Sequence, residues 1–342
     1  MTGQQLLLES PSSGFRLVSK DLPSPAEGEV LVRITLATLC GSDLHTLAGR
    51  RSAPTPCVLG HEAVGVIVAS KKEGLTEGQR VTWSLASSCG SCQACKEWNL
   101  PQKCARLLKY GHSREDTHPW SGCYASHILL RPGTTILPLP PLLPDRLAAP
   151  ANCAFATITH ATEQLPAPCR RALVIGGGLL GLFAILALRE RGVEEIYVSD
   201  PDEQRVAMAR RCGALPLPQE ATELRFDFAL EAAGVAAAIS PALPLLRPGA
   251  HFVWTGLVHD QCHFQLDGSL IVRGNLRVQG IHNYAPRHLE QALRILQTVD
   301  TSVLEDLIAA PVPLAHFEQA LELAQSGQWA RVSVEPNPAS PS

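Results

Sequence analysis

Two kinds of apolar pattern divide the chain. Toward the N-terminus, apolar positions fall in short runs punctuated by Pro and Gly. Gly28-Glu-Val-Leu-Val-Arg-Ile-Thr-Leu36 alternates in part, and Ala63-Val-Gly-Val-Ile-Val68 is more continuous. Such spacing predicts a mostly antiparallel β domain. Further along, short apolar runs alternate with helical ones. Residues 172–175 read as a buried parallel strand and 179–188 as an apolar helix. A strand at 196–199, a helix at 205–211 and a strand at 226–231 follow. A helix at 235–246, interrupted by Pro241 and Pro244, then precedes strands at 250–255 and 276–281. This βαβ alternation predicts a parallel sheet with helices on both faces. The proline-rich run 138–144 is a stiff connection into it. Helical segments at 289–298 and 317–325 come after, the tail 336–342 is predicted disordered, and no internal repeat is present.

A length of 342 residues with 45% hydrophobic and 18% charged side chains predicts two domains with large cores. The net charge of −3 gives no electrostatic basis for nucleic-acid binding. No apolar run reaches membrane-spanning length, so no membrane partner is expected. The start, Met1-Thr-Gly-Gln-Gln, lacks a signal-peptide pattern, which predicts a cytoplasmic protein. Eleven cysteines then suggest metal ligands and free thiols before disulfides.

Three groups of residues carry chemistry. The first predicted parallel strand runs into Gly176-x-Gly178-x-x-Gly181, which opens the apolar helix. Gly176 allows a tight turn, Gly178 lets the backbone approach a pyrophosphate, and Gly181 lets helix and strand pack closely. The helix N-terminus offers free N–H groups to phosphates. Asp200, at the end of the next strand, can accept from adenosine ribose hydroxyls and would repel a 2′-phosphate, favouring NAD over NADP. Cys89-x-x-Cys92-x-x-Cys95-x₈-Cys104 is a four-thiolate spacing that should close around one structural zinc. Free thiols, a redox pair or an iron–sulfur cluster are weaker readings of it. Finally, Cys40, His61 and Cys153 could surround a catalytic zinc, leaving a position for water or substrate. Glu62 could be a fourth ligand or exchange with the water, and Asp43 could orient the histidine. The three are far apart in sequence, and each alone has a structural explanation as a buried residue.

Taken in order, Cys40-x-Ser42-Asp43-x-His45, Gly60-His-Glu62, the four-cysteine lobe, the glycine turn and Asp200 resemble the zinc-containing medium-chain dehydrogenase/reductases, the alcohol dehydrogenase family. The resemblance runs from Val30 to Val334. It implies an α/β protein: an N-terminal GroES-like β domain over 1–153 with both zinc sites, and a Rossmann NAD-binding domain with a doubly wound parallel sheet over 154–284. Residues 285–342 would return to the catalytic domain before the tail. Residue by residue, it implies Cys40, His61 and Cys153 as catalytic zinc ligands, with Glu62 binding the metal or waiting behind it. Ser42 would bond the substrate oxygen and His45 would end a proton relay. Leu180 would back the nicotinamide, Arg205 would meet the adenosine ribose, and Arg331 would reach the pyrophosphate. Gly41 stands where some members place a basic pyrophosphate contact, and the last cysteine gap is one residue longer than in many members.

The implied activity is oxidation of an alcohol, or reduction of an aldehyde or ketone. Zinc acidifies the alcohol, Ser42 passes its proton toward His45, and NAD takes the hydride. A narrower resemblance, to the branch named for phosphonate catabolism, rests on Leu100-Pro-Gln-Lys-Cys104, Lys109-Tyr-Gly-His112, Ala149-Pro-Ala-Asn-Cys153 and His282-Asn-Tyr284. It implies a phosphonate-bearing alcohol or aldehyde, with Lys109, His112, His282 and Arg287 as candidate cations. Alternatives are a polyol- or threonine-type dehydrogenase, a zinc-free reductase on the same fold, and a non-catalytic NAD-binding sensor. The family also implies a homodimer or homotetramer.

Overall fold

The computed structural model describes residues 1–10, 14–221, 223–258 and 262–337. The chain forms two compact units. The first comprises Met1–Cys153, Tyr284–Gln297 and Leu304–Ser342; the second comprises Ala154–Asn283 and Thr298–Val303.

The first unit is built on strand Val30–Leu39, which pairs with Glu62–Ser70, His127–Leu130 and Arg331–Glu335, all antiparallel. Ile136–Pro138 and Arg80–Trp83 extend the sheet on one side, and Ile308–Pro313 extends it on the other. Phe15–Asp21, Thr2–Leu8 and Cys57–Val58 make a separate three-stranded sheet. Val30, Val32, Ile34, Trp83 and Tyr124 are fully buried in the shared core. Each such side chain contributes about 1.5–3 kcal/mol. The register places Thr38 opposite Glu62 on one side and opposite Ser333 on the other. The polar residues at the end of the central strand therefore meet those of its neighbours on a buried apolar platform.

The second unit holds one six-stranded parallel sheet in the order Leu215–Pro216, Glu195–Ser199, Arg171–Ile175, Phe226–Glu231, Leu246–Trp254, Arg277–Gly280. The order reverses between Arg171–Ile175 and Phe226–Glu231, which makes the carboxyl ends of those strands a topological switch point. Helix Leu179–Glu190 is apolar nearly all round because it is buried nearly all round. Phe183 stacks on Phe155 with ring centroids 4.4 Å apart.

Three expectations are corrected. The helix expected at 235–246 is two short 3₁₀ turns, Ala236–Ala238 and Ser240–Leu245. Pro241 and Pro244 lack the N–H donors an α-helix needs. The strand expected at 250–255 already starts at Leu246, and Pro248-Gly249 is absorbed as a register shift. In the tail, Pro336 is buried, and the Asn337 side-chain amide donates to the carbonyls of Ile34 at 2.9 Å and Ser126 at 2.8 Å. Positions 338–342 lie outside the described residues. No helix among the described residues is long and apolar enough to cross a membrane.

Candidate active site and metal centres

Cys40 ends the central strand's run and caps helix Gly41–Leu47, which carries Ser42, Asp43 and His45. His61 and Glu62 stand at the start of the neighbouring strand. Cys153 sits in a π-helical turn, Ala151–Phe155, of the kind that re-aims a side chain at functional sites. Together these elements bring the ligand atoms of Cys40, His61, Glu62 and Cys153 within 4.8 Å of one another.

Each atom around this set has a physical reason for its place. Asp43 is 1% exposed; its Oδ2 accepts from the Tyr124 hydroxyl at 2.8 Å and from the Cys40 N–H at 3.0 Å. Its Oδ1 lies 3.6 Å from Nδ1 of His61, and among the described residues neither of those two atoms has another partner. The imidazole is thereby turned so that Nε2 faces the sulfurs. The Ser42 hydroxyl is 3.5 Å from that Nε2. Glu62 is fully buried and accepts from the Thr38 hydroxyl at 2.6 Å. Both its oxygens also accept from Arg331, Nε at 3.1 Å and Nη2 at 3.3 Å, while Nη2 lies 3.8 Å from Sγ of Cys40.

Electrostatics follow. A hydrogen bond from Cys153, with Arg331 and His61 close by, holds Cys40 well below the usual thiol range, although burial opposes this. Burial pushes Glu62 up to about 7, with Arg331 pulling the other way. Burial would lower His61, but Asp43 and Cys40 outweigh it and its affinity for protons rises. A divalent cation is the species that would meet the two sulfurs, one imidazole nitrogen and nearby carboxylate together.

Lys109, on the short strand Leu108–Lys109, and His112 cross beside this set. The His112 ring centroid is 5.1 Å from that of His61, and its buried Nε2 has no partner among the described residues. Burial, His61, Lys109 and Arg51 hold His112 well below the usual range, so it is neutral. Burial and Arg51 push Lys109 down to about 8. Neither Lys109 nor Arg51 forms an ion pair with a carboxylate among the described residues; the negative groups that act on Lys109 are Cys153, Cys40 and Asp43 of the neighbouring set. Arg51 is a loop cation outside any motif, and only its approach to Lys109 singles it out. Of the other candidate cations, His282 belongs to the second unit, and Arg287 lies on helix Pro286–Thr298 of the first.

Cys89, Cys92, Cys95 and Cys104 gather around helix Gln93–Lys96. Cys92 Sγ lies 3.5 Å from that of Cys95 and 3.8 Å from that of Cys104, and all four sulfurs lie within 4.8 Å. Four sulfurs about 2.3 Å from one ion stand about 3.8 Å apart in a tetrahedron, so the set fits zinc. Backbone N–H groups of Cys92 and Arg106 donate to the sulfurs of Cys89 and Cys104, as thiolates require.

In the second unit, Gly176 has φ +101°, and a Cβ there would lie 2.8 Å from N of Ala233. A Cβ at Gly181 would lie 1.8 Å from the Gly176 carbonyl, so only glycine permits this packing of helix on turn. At Gly178 the same direction is open space, which fits an approaching phosphate. Asp200 accepts from the Gly177 N–H at 2.7 Å, and Arg205 Nη1 lies 3.9 Å from it. Leu180 is half-buried on the first turn of helix Leu179–Glu190. His45 accepts at Nδ1 from Arg50 Nε at 2.9 Å. Arg331 is buried against Glu62 and Cys40 in the first unit.

A GroES-like sheet carrying two cysteine-rich sets and a doubly wound sheet with a glycine turn define a dehydrogenase architecture. Residues 26–141 match the alcohol dehydrogenase GroES-like domain, and 150–330 match the glucose dehydrogenase C-terminus. The chain belongs to the zinc-containing medium-chain dehydrogenase/reductase family, and it is an oxidoreductase. An L-threonine 3-dehydrogenase of Legionella pneumophila is 25% identical over 334 residues, covering 92% of this chain and 94% of that one. An alcohol dehydrogenase of Thermotoga maritima has a TM-score of 0.91 at 28% identity, covering 98% and 100%. An Escherichia coli CFT073 structure described as a short chain alcohol dehydrogenase with NADH has a TM-score of 0.83 at 23% identity, covering 98% and 99%, a likeness of fold alone.

Proposed function

We propose that this protein is a zinc- and NAD-dependent alcohol dehydrogenase whose substrate carries an anionic, phosphonate-type group. The observation that supports the chemistry best is the convergence of Cys40, His61, Cys153 and Glu62, with Asp43 and Arg331 engaged behind them. Zinc there would supply Lewis acidity toward an alcohol or carbonyl oxygen, and NAD a hydride acceptor or donor. The chain's own residues do the rest. Asp43 fixes which nitrogen of His61 faces the metal. Ser42, 3.5 Å from that nitrogen, is placed to take the substrate's hydroxyl proton and pass it toward His45. Glu62 carries negative charge balanced by Arg331 on one side and free to meet the metal on the other. Cys89, Cys92, Cys95 and Cys104 hold a second, structural zinc. Gly176, Gly178 and Gly181 receive the pyrophosphate, and Asp200 favours NAD over NADP.

The substrate class rests on the cations. Among the described residues Lys109 and Arg51 act on each other with no carboxylate in an ion pair with either, and His112, beside His61, presents a nitrogen with no partner. Half-buried cations gathered beside a reaction site would be joined favourably by an anionic group of the substrate. The test is a substrate profile on hydroxyalkylphosphonates, matched plain alcohols, L-threonine and polyols. The phosphonates should show a kcat/KM at least about tenfold above alcohols of equal length, the worth of one charge-assisted contact. Lys109→Met should erase that preference and spare the plain alcohols. Preference for plain alcohols, threonine or a polyol in the wild type would overturn the anionic reading. We further propose a homo-oligomer formed through the exposed edge of the parallel sheet.

A further inference from the structure

The second unit contains a buried carboxylate that none of these roles uses. Glu231 is the last residue of strand Phe226–Glu231, paired in register with Ile175, and it is fully buried. Its Oε1 accepts from the backbone N–H groups of Ala233 at 2.8 Å and Gly234 at 2.6 Å. Its Oε2 accepts from the Gly256 N–H at 2.9 Å. One side chain thus ties together the loops leaving two adjacent parallel strands. The first of those loops also abuts the glycine turn, since a Cβ at Gly176 would strike Ala233.

Every group bonded to the carboxylate is an N–H donor, so both oxygens act as acceptors, as an ionised carboxylate requires. No cation pairs with it among the described residues. Burial raises its affinity for protons and the peptide N–H groups oppose this, so peptide dipoles alone hold its negative charge.

Strand order fixes which half of a dinucleotide such a charge would serve. Glu195–Ser199, which leads into Asp200, flanks Arg171–Ile175 on one side, and Phe226–Glu231 flanks it on the other. With pyrophosphate on the glycine turn and the adenosine ribose at Asp200, the other half must lie over the loops that Glu231 holds. That half carries the nicotinamide, which is cationic when oxidised and neutral when reduced.

We propose that Glu231 is a positioning residue for the nicotinamide half of the cofactor, and that its charge favours the oxidised ring over the reduced one. This rests on the NAD reading above. The test is equilibrium binding of NAD⁺, NADH and ADP-ribose to the zinc-loaded full chain by calorimetry. Glu231→Gln removes the charge and one acceptor. It should weaken NAD⁺ about tenfold more than NADH, the order expected of one nearby charge at an intermediate dielectric, and leave ADP-ribose unaltered. Equal losses for NAD⁺ and NADH, or none, would overturn the proposal. Glu231→Asp keeps the charge but shortens the reach, so NAD⁺ and NADH should weaken alike, about three- to tenfold, with ADP-ribose again unaltered. If the Gln variant does not fold, the Asp variant decides. ADP-ribose weakened as much as the dinucleotides, or no change in any, would overturn the role. A wild-type chain that binds none of the three would instead overturn the dinucleotide reading on which this one stands.

Discussion

A histidine can offer either ring nitrogen to a metal, and here Asp43 faces Nδ1 of His61. Its carboxylate is held from one side by Tyr124 and the Cys40 backbone, leaving Oδ1 to face Nδ1 of His61. Asp43→Asn keeps the shape and removes the charge. Zinc affinity at the Cys40, His61 and Cys153 set should fall about tenfold to hundredfold, with the four-cysteine site unaffected. Competition with a chelator measures this; unchanged affinity would remove Asp43 from that role. At this scale the sequence was legible where ligands share one loop. Cys89, Cys92, Cys95 and Cys104 lie close along the chain, so spacing alone suggests one ion. Cys40, His61 and Cys153 could be named by residue type, but only strand register and a π-helical turn bring them together. Arg51 and Glu231 were not legible. A loop arginine and a glutamate ending an apolar strand have no local signature, and their significance comes entirely from which backbone or charge approaches them.

Elements were legible where period and punctuation agreed. The run around the glycine turn gave strand Arg171–Ile175 and helix Leu179–Glu190 within a residue or two of expectation. Where they disagreed, punctuation won: the helical pattern at 235–246 yielded to its prolines. At Asn337, tertiary contacts overrode a composition that reads as disordered, because its amide meets two strand-end carbonyls. One element has an unfinished look. Arg277–Gly280 is the outermost strand of the parallel sheet and largely exposed, and the adjacent helix Gly268–Gly274 buries none of its residues, with Val272 80% exposed. An exposed edge beside exposed apolar side chains is a template for pairing. Sedimentation should therefore find a dimer or tetramer, and a proline at Gln279 should shift it toward monomer. A wild-type chain that sediments as a monomer at micromolar concentration would contradict the edge assignment.

On the scale of the whole molecule, two units divide the labour. An antiparallel β unit carries both cysteine sets, and a parallel sheet with a glycine turn carries the features of a dinucleotide site. That division was visible in the change of apolar pattern near the middle of the chain, because period-two alternation and βαβ alternation bury different faces. The apolar pattern alone does not assign the segments Tyr284–Gln297 and Leu304–Ser342, which belong to the first unit from far along the chain; their return was an expectation of the family resemblance. The proposed chemistry needs a reactive zinc and a structural one in each chain, and elemental analysis of the purified protein counts them. The wild type should contain about two zinc ions per chain, with His61→Ala and Cys95→Ser each losing a different one. A wild type without bound zinc, or a His61→Ala variant that keeps the full complement and full turnover, would contradict it.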